Sequence, residues 1–75
     1  MKKAKTNAAL RAVVADIRSL VEQAGGTVVC EMRRVTATAH YTVPSVHAVV
    51  GGREFRVMRP TFTGARRELV DWLQG

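Results

Sequence analysis

The chain has 75 residues, 47% of them hydrophobic and 24% charged, with a formal net charge of +6. This length allows one domain with a small core, and the hydrophobic content excludes global disorder. A single cysteine, Cys30, excludes an intrachain disulfide and is typical of a reducing compartment. Charges at Arg11, Asp16 and Arg18 interrupt the first apolar stretch, which excludes a secretory signal. No run of about 18 apolar residues occurs, so we expect a cytoplasmic protein without a membrane partner.

Residues 1–6 are predicted to form a basic flexible tail, because lysines at a helix N-terminus oppose the helix dipole. Residues 7–75 are predicted to form a single domain. Its first helix should begin at an N-cap at Thr6 or Asn7 and reach about Ala24, where Gly25-Gly26 should end it in a left-handed conformation. Seven apolar side chains recur there every three or four residues and should face the core: Leu10, Val13, Val14, Ile17, Leu20, Val21 and Ala24.

Three strands are predicted after this helix. The first spans about 27–34 and the second lies within 39–50, where Pro44 requires a bulge or an edge position. Gly51-Gly52 is typical of a two-residue hairpin turn before the third strand. This turn pairs three residues of each strand: Val50 with Arg53, Ala48 with Phe55, and Val46 with Val57.

A final helix is predicted from an N-cap at Thr63 to about Gln74, with Arg67 able to pair with Asp71. The order of elements is α-β-β-β-α. The predicted fold class is therefore α+β, with a three-stranded antiparallel sheet covered on one face by two helices.

Most catalytic patterns are absent from the sequence. Neither glycine pair has the flanking lysine of a phosphate-binding loop, and one cysteine with two histidines does not make a zinc site. No metal or cofactor is expected. His40, early in the predicted second strand, can move a proton in phosphodiester cleavage, with an arginine stabilising the developing charge. The other interpretation of His40 is a hydrogen-bonded surface residue.

Several fragments of the sequence follow a known family pattern in order. These are Leu20-Val21-Glu22-Gln23-Ala24-Gly25, Arg33-Arg34, Ala39-His40-Tyr41, Gly51-Gly52-Arg53, Val57-Met58-Arg59-Pro60 and Glu68-Leu69-Val70-Asp71-Trp72-Leu73. Over residues 10–74 the chain thus resembles the HicA-type toxins, which have the double-stranded-RNA-binding-domain fold. The resemblance implies a ribonuclease with His40 at the catalytic position and an acidic antitoxin as partner. Family members usually place glycine and serine directly before this histidine, where the chain has Thr38-Ala39.

Arginine is concentrated in the second half of the chain. From residue 31 to residue 67 there are seven arginines and two acidic residues, and the planar guanidinium group suits phosphate well. The predicted contacts to a nucleic-acid backbone are Arg33, Arg34, His47, Arg53, Arg56, Arg59, Arg66 and Arg67.

Three functions remain open from the sequence. The first is a small basic domain that binds RNA or DNA without enzymatic activity. The second is a HicA-like ribonuclease that uses His40. The third is a small accessory protein, such as a phage-encoded regulator or inhibitor of a host enzyme, whose exposed sheet binds another protein.

Overall fold

The computed structural model describes the backbone of residues 2–75 and the side chains of residues 8–75. In chain order the elements are helix α1 (Lys2–Gln23), strands β1 (Thr27–Arg34), β2 (Thr42–Val50) and β3 (Arg53–Met58), and helix α2 (Phe62–Gln74). The strands form one antiparallel sheet in the order β1-β2-β3. Both helices pack on the same face of this sheet. The predicted α+β fold is confirmed.

Helix α1 begins earlier than the sequence suggested. It starts at Lys2 instead of following an N-cap at Thr6 or Asn7, so residues 2–6 continue the helix. No glycine or proline occurs between residues 2 and 23, and alanine, the strongest helix former, recurs along the segment. The side chains of Thr6 and Asn7 lie outside the described residues.

The end of α1 is set by its two glycines. The Gly26 N–H donates to the Val21 carbonyl (3.0 Å) and the Gly25 N–H donates to the Glu22 carbonyl (3.0 Å), which is the Schellman arrangement. Gly25 has a φ of 81°, a left-handed conformation that glycine adopts without a steric penalty. The predicted glycine termination is therefore confirmed.

The two glycines should respond differently to substitution. A side chain at Gly26 would overlap the Val49 carbonyl oxygen and a methyl group of Val50, whereas a side chain at Gly25 meets no atom within 4 Å. We expect Gly26→Ala to lower the free energy of unfolding by about 1–3 kcal/mol or more, as for overpacked sites. Gly25→Ala should cost about 1–2 kcal/mol, from the left-handed backbone alone. Urea melts of both variants measure the difference, and a larger loss at Gly25 would contradict this close approach.

The core lies between the sheet and the two helices. Its buried hydrophobic residues are Ile17, Val21, Val46, Ala48, Val57, Phe62, Ala65 and Leu69. The predicted apolar stripe of α1 is thus confirmed at Ile17 and Val21, both fully buried. Leu10 belongs to the same stripe but is 38% exposed, because it lines an open cleft at one end of the domain.

The β2–β3 hairpin has the predicted register. Val50 pairs with Arg53, Ala48 with Phe55, and Val46 with Val57 across Gly51-Gly52. The Phe55 ring packs against Trp72 of α2 with a centroid separation of 5.3 Å. This contact ties the hairpin to the C-terminal half of α2.

Pro44 lies in the central strand without the predicted bulge, but the pairing of β2 with β3 begins only at Ser45, so at Pro44 the strand has the alternative that was predicted, an edge position. Pro44 pairs with Met32 of β1 in a continuous register, and its carbonyl accepts a hydrogen bond from the Arg59 N–H (3.1 Å). Its backbone polar groups therefore face β3, and β3 ends one residue before Arg59. An N–H at this position would point past the end of β3, and not toward β1. Its absence in proline therefore removes no hydrogen bond between β1 and β2.

Helix α2 begins two residues before the predicted position. The N-cap is Thr61 instead of Thr63, and its hydroxyl accepts a hydrogen bond from the Gly64 N–H (3.1 Å). Either threonine can cap a helix by its side chain. The cap is Thr61 because a helix that starts at Phe62 buries the ring of this residue in the core.

Neither helix is long and apolar enough, over the residues that the structure describes, to cross a membrane.

Candidate nucleic-acid interface

One end of the domain brings together five parts of the chain. An open, mostly apolar cleft of about 360 Å³ lies there between the first half of α1, the end of β1, the start of β2 and the β3–α2 connection. Its lining is Ala9, Leu10, Val13, Met32, Thr42, Pro44, Pro60, Thr61, Phe62 and Thr63. The loop of residues 35–41 joins β1 to β2 at the same end. We call this region, with the N-terminal halves of both helices, the basic end.

The charges of the chain are segregated between the basic end and the rest of the domain. Six of the nine arginines lie at the basic end: Arg11, Arg33, Arg34, Arg59, Arg66 and Arg67. Only two of the six acidic residues, Glu31 and Glu68, lie with them. The other described side chains include three arginines and four acidic residues, with a formal charge of −1. The excess positive charge of the described side chains therefore lies at one end.

Several of the predicted arginines have carboxylate partners. Arg59 makes a bidentate ion pair with Glu68, and Arg66 pairs with Asp16 of α1. Two more pairs lie on the outer face of the sheet, which the helices leave open. The Arg33 Nε atom is 3.5 Å from Glu31 Oε1, and the Arg56 Nη2 atom is 3.7 Å from Glu54 Oε2. These side chains are exposed or half-exposed, so each pair contributes little to stability. Each pair nevertheless lowers the local positive potential.

Other arginines in the described residues make no ion pair. Arg34 donates to the carbonyl oxygen of Ala37 (3.4 Å) and is exposed. Arg11 and Arg67 are exposed on α1 and α2. Arg53 lies at the opposite end of the sheet, where its guanidinium carbon is 5.0 Å from the centroid of the Trp72 ring, a cation–π distance. Arg53 therefore lies away from the basic end.

Two predicted positions in α2 differ from expectation. Because α2 begins at Phe62, Arg66 and Arg67 lie in its second turn instead of its first. Arg67 does not pair with Asp71 in this structure, and Arg66 instead reaches α1 through Asp16. The amide groups of the first turn of α2 are thus separated from both arginines by one helical turn.

The centre of the outer sheet face is close to neutral. His47 lies 2.6 Å from Glu54 on the neighbouring strand, and Glu54 also contacts Arg56. Val29 and Val49 are 53% and 40% exposed on the same face. The predicted contacts His47 and Arg56 therefore share one carboxylate, and this part of the sheet presents balanced charge with exposed valines.

His40 lies in the loop of residues 35–41 and not early in β2, which begins at Thr42. Its side chain is exposed, and so is that of Tyr41, at 64%. The loop is anchored at its start by the Arg34–Ala37 contact and by a backbone bond from Ala39 N–H to the Thr36 carbonyl (3.2 Å). His40 and Tyr41 thus lie in the loop at the basic end, directly before Thr42, which pairs with Arg34.

Cys30 is half-buried under α1. Burial raises the pKa of its thiol, and the positive charge of Arg18 opposes this rise in pKa. A raised pKa keeps the thiol protonated and unreactive at neutral pH. Among the residues with described side chains, no three His, Cys, Asp or Glu groups lie close enough together to hold a metal ion.

Sequence reasoning missed Arg11 as a member of the basic end. The available signal was its place on α1 opposite the apolar stripe, but only the observed packing puts the first half of α1 beside β1 and α2. The Arg66–Asp16 pair had no signal, since the two residues are 50 positions apart.

Comparison of the chain with protein-family models, with curated proteins and with solved structures finds no match.

Proposed function

We propose that the domain binds the phosphate backbone of RNA or DNA through its basic end. The observation that carries this proposal is the concentration of six of the nine arginines, with only two acidic residues, at one end of a small fold. A concentrated field of one sign attracts a polyanion far more strongly than the same charge spread evenly. Arginine is the main cation there, and its planar donors match phosphate oxygens.

The position of an aromatic side chain supports the same proposal. Tyr41 is 64% exposed in the loop between β1 and β2, at the basic end. An exposed ring next to arginines can stack on an unpaired base while the cations hold the backbone. The domain would then contact phosphates through Arg11, Arg34 and Arg67, which make no ion pairs, with Tyr41 favouring single-stranded or loop segments.

A binding assay with two matched double variants tests this interface. Arg34→Ala with Arg67→Ala removes two cations from the basic end, whereas Arg53→Ala with Arg56→Ala removes two from elsewhere. Fluorescence anisotropy with labelled RNA and DNA should show weaker binding for the first variant with every sequence alike. The second should bind nearly as well as the unchanged protein. Equal losses would show that only total charge matters, and absence of binding to either nucleic acid would favour the protein-binding function.

A ribonuclease activity is a second proposal, favoured by the exposure of His40 at the basic end. RNA held by the arginines would bring a phosphodiester near an imidazole, a group that can accept or donate a proton. His40→Ala should then lower the cleavage rate about 10²–10⁴-fold, the usual contribution of a general acid or base. His47→Ala is the matched control, because His47 lies on the sheet against Glu54. Unchanged RNA after incubation with the unsubstituted protein would remove this activity.

A further inference from the structure

Strand β1 has a free edge with unpaired backbone groups. Pro44 directs its backbone groups toward β3, as its bond with the Arg59 N–H shows, so its pair with Met32 of β1 is not hydrogen-bonded. Bonded and non-bonded pairs alternate along an antiparallel ladder. The N–H and C=O groups of four β1 residues therefore point away from the sheet: Val28, Cys30, Met32 and Arg34.

This edge has only one of the features that usually protect an edge strand. Natural edges are kept short, or carry proline, charged side chains or a bulge. β1 has 8 residues, contains no proline, and pairs with β2 without a bulge. Its charged side chains, Glu31, Arg33 and Arg34, are of both signs and lie in its second half. Val29 and Met32 are about half exposed along it. Among the described residues, no loop or side chain forms a hydrogen bond with the four outward backbone groups.

We propose that β1 pairs antiparallel with β1 of a second copy of this chain, around a two-fold axis through Met32. The two sheets then form one sheet of six strands, with all four helices on one face. Val28, Cys30 and Met32 lie on the helix-covered face, and Val29, Glu31 and Arg33 on the other. In an antiparallel pair, two residues directly opposite each other have side chains on the same face of the sheet. Neighbouring residues of one strand lie on opposite faces, so the two-fold axis must pass through a residue and not between two residues.

Charge complementarity selects Met32 among the positions available for the axis. An axis at Glu31 places two carboxylates opposite each other, and an axis at Arg33 places two guanidinium groups opposite each other; both arrangements are destabilising. An axis at Cys30 sets Glu31 against Val29. An axis at Met32 sets Glu31 against Arg33 of the second copy twice, and Met32 against Met32.

Helix α1 offers further apolar surface above this edge. The ion pair between Asp16 and Arg66 shows that the side of α1 with Asp16 faces α2. Val14 and Arg18 lie on the opposite side of α1 and therefore face away from α2. The effect of Arg18 on the pKa of the Cys30 thiol places this side near β1. A shallow cleft lined by Leu10, Arg11, Val14, Ala15 and Arg18 runs along it. A second copy paired at β1 would bring its own α1 toward this cleft.

The oligomeric state tests the pairing, which does not depend on the proposed function. Sedimentation equilibrium at rising protein concentration should show the mass increasing from 8.2 kDa toward twice that value. Met32→Pro removes an outward N–H without removing a bond to β2, and should abolish the increase. Arg56→Pro is the matched control, because Arg56 likewise points its N–H outward from the other edge strand. A monomer at every concentration, or loss of the dimer only in Arg56→Pro, would overturn the proposal. Circular dichroism melts establish that both variants fold.

Two further experiments test the register. Glu31→Arg alone should weaken the dimer, and adding Arg33→Glu should restore it, because each residue then again faces an opposite charge. In a Cys30→Ser background, Met32→Cys should give a disulfide-linked dimer under mild oxidation, since opposed residues in a bonded pair lie about 5.5 Å apart. Failure of the charge exchange to restore the dimer, or rapid Cys30–Cys30 cross-linking in the unsubstituted protein, would overturn the register.

Discussion

Replacing Ile17 by alanine is expected to lower the free energy of unfolding by about 2–5 kcal/mol. Ile17 is fully buried and is one of the largest side chains in the core. The loss has two parts: the apolar area exposed to water on unfolding falls, and a cavity remains in the folded state. Small domains are stable by only about 5–15 kcal/mol in total, so this single change could remove much of the stability. Urea melts monitored by circular dichroism give the value.

Leu10→Ala is the matched control for this prediction. Leu10 lies on the same apolar stripe of α1 but is 38% exposed at the open cleft, so its truncation leaves no closed cavity. We expect a loss clearly smaller than at Ile17. Ile17→Val should cost only about 0.5–1.5 kcal/mol. A loss under about 0.5 kcal/mol for Ile17→Ala, well below the range for buried sites, would mean that this face of α1 is not core.

The fold could be predicted because its signals are local. The α1 stripe, the Gly25-Gly26 end and the Gly51-Gly52 turn each depend on residues within a few positions of one another, and all three are confirmed. At Pro44 the sequence left a bulge and an edge position open. The structure has no bulge, and the missing N–H removes no ladder bond because β3 ends before it would reach this residue, which is a property of the assembled sheet.

For the candidate site, the sequence predicts the type of residue but not which of these residues are free of carboxylate partners. An excess of arginine in the second half of the chain is visible in the sequence, but the ion pairs that neutralise part of it are not. Arg66 pairs with Asp16 across 50 positions and Arg59 with Glu68 across the β3–α2 connection. Which arginines stay without a carboxylate is therefore set by helix packing. Arg11 joins the basic end for the same reason.

Binding of nucleic acid should weaken steeply as salt concentration rises. Each phosphate neutralised on B-DNA releases condensed counterions and contributes about −0.9 to the slope of log affinity against log salt. Three to six contacts, from the three arginines without ion pairs to all six arginines of the basic end, predict a slope of roughly −3 to −5. Raising the salt from about 50 to about 200 mM should then lower the affinity about 10²–10³-fold. Anisotropy titrations across this range measure the slope, and a slope near zero would contradict electrostatic binding.

The same titrations separate a lost contact from a damaged fold. Arg34→Ala with Arg67→Ala should flatten the slope by about 2, the value for two phosphate contacts. Arg56 and Arg66 are less suitable targets, because Glu54 and Asp16 already pair with them. Extrapolated to about 1 M salt, where counterion release contributes nothing, the affinities of variant and unchanged protein should converge. A variant that bound less only because it was partly unfolded would keep the original slope and stay weaker at every salt concentration.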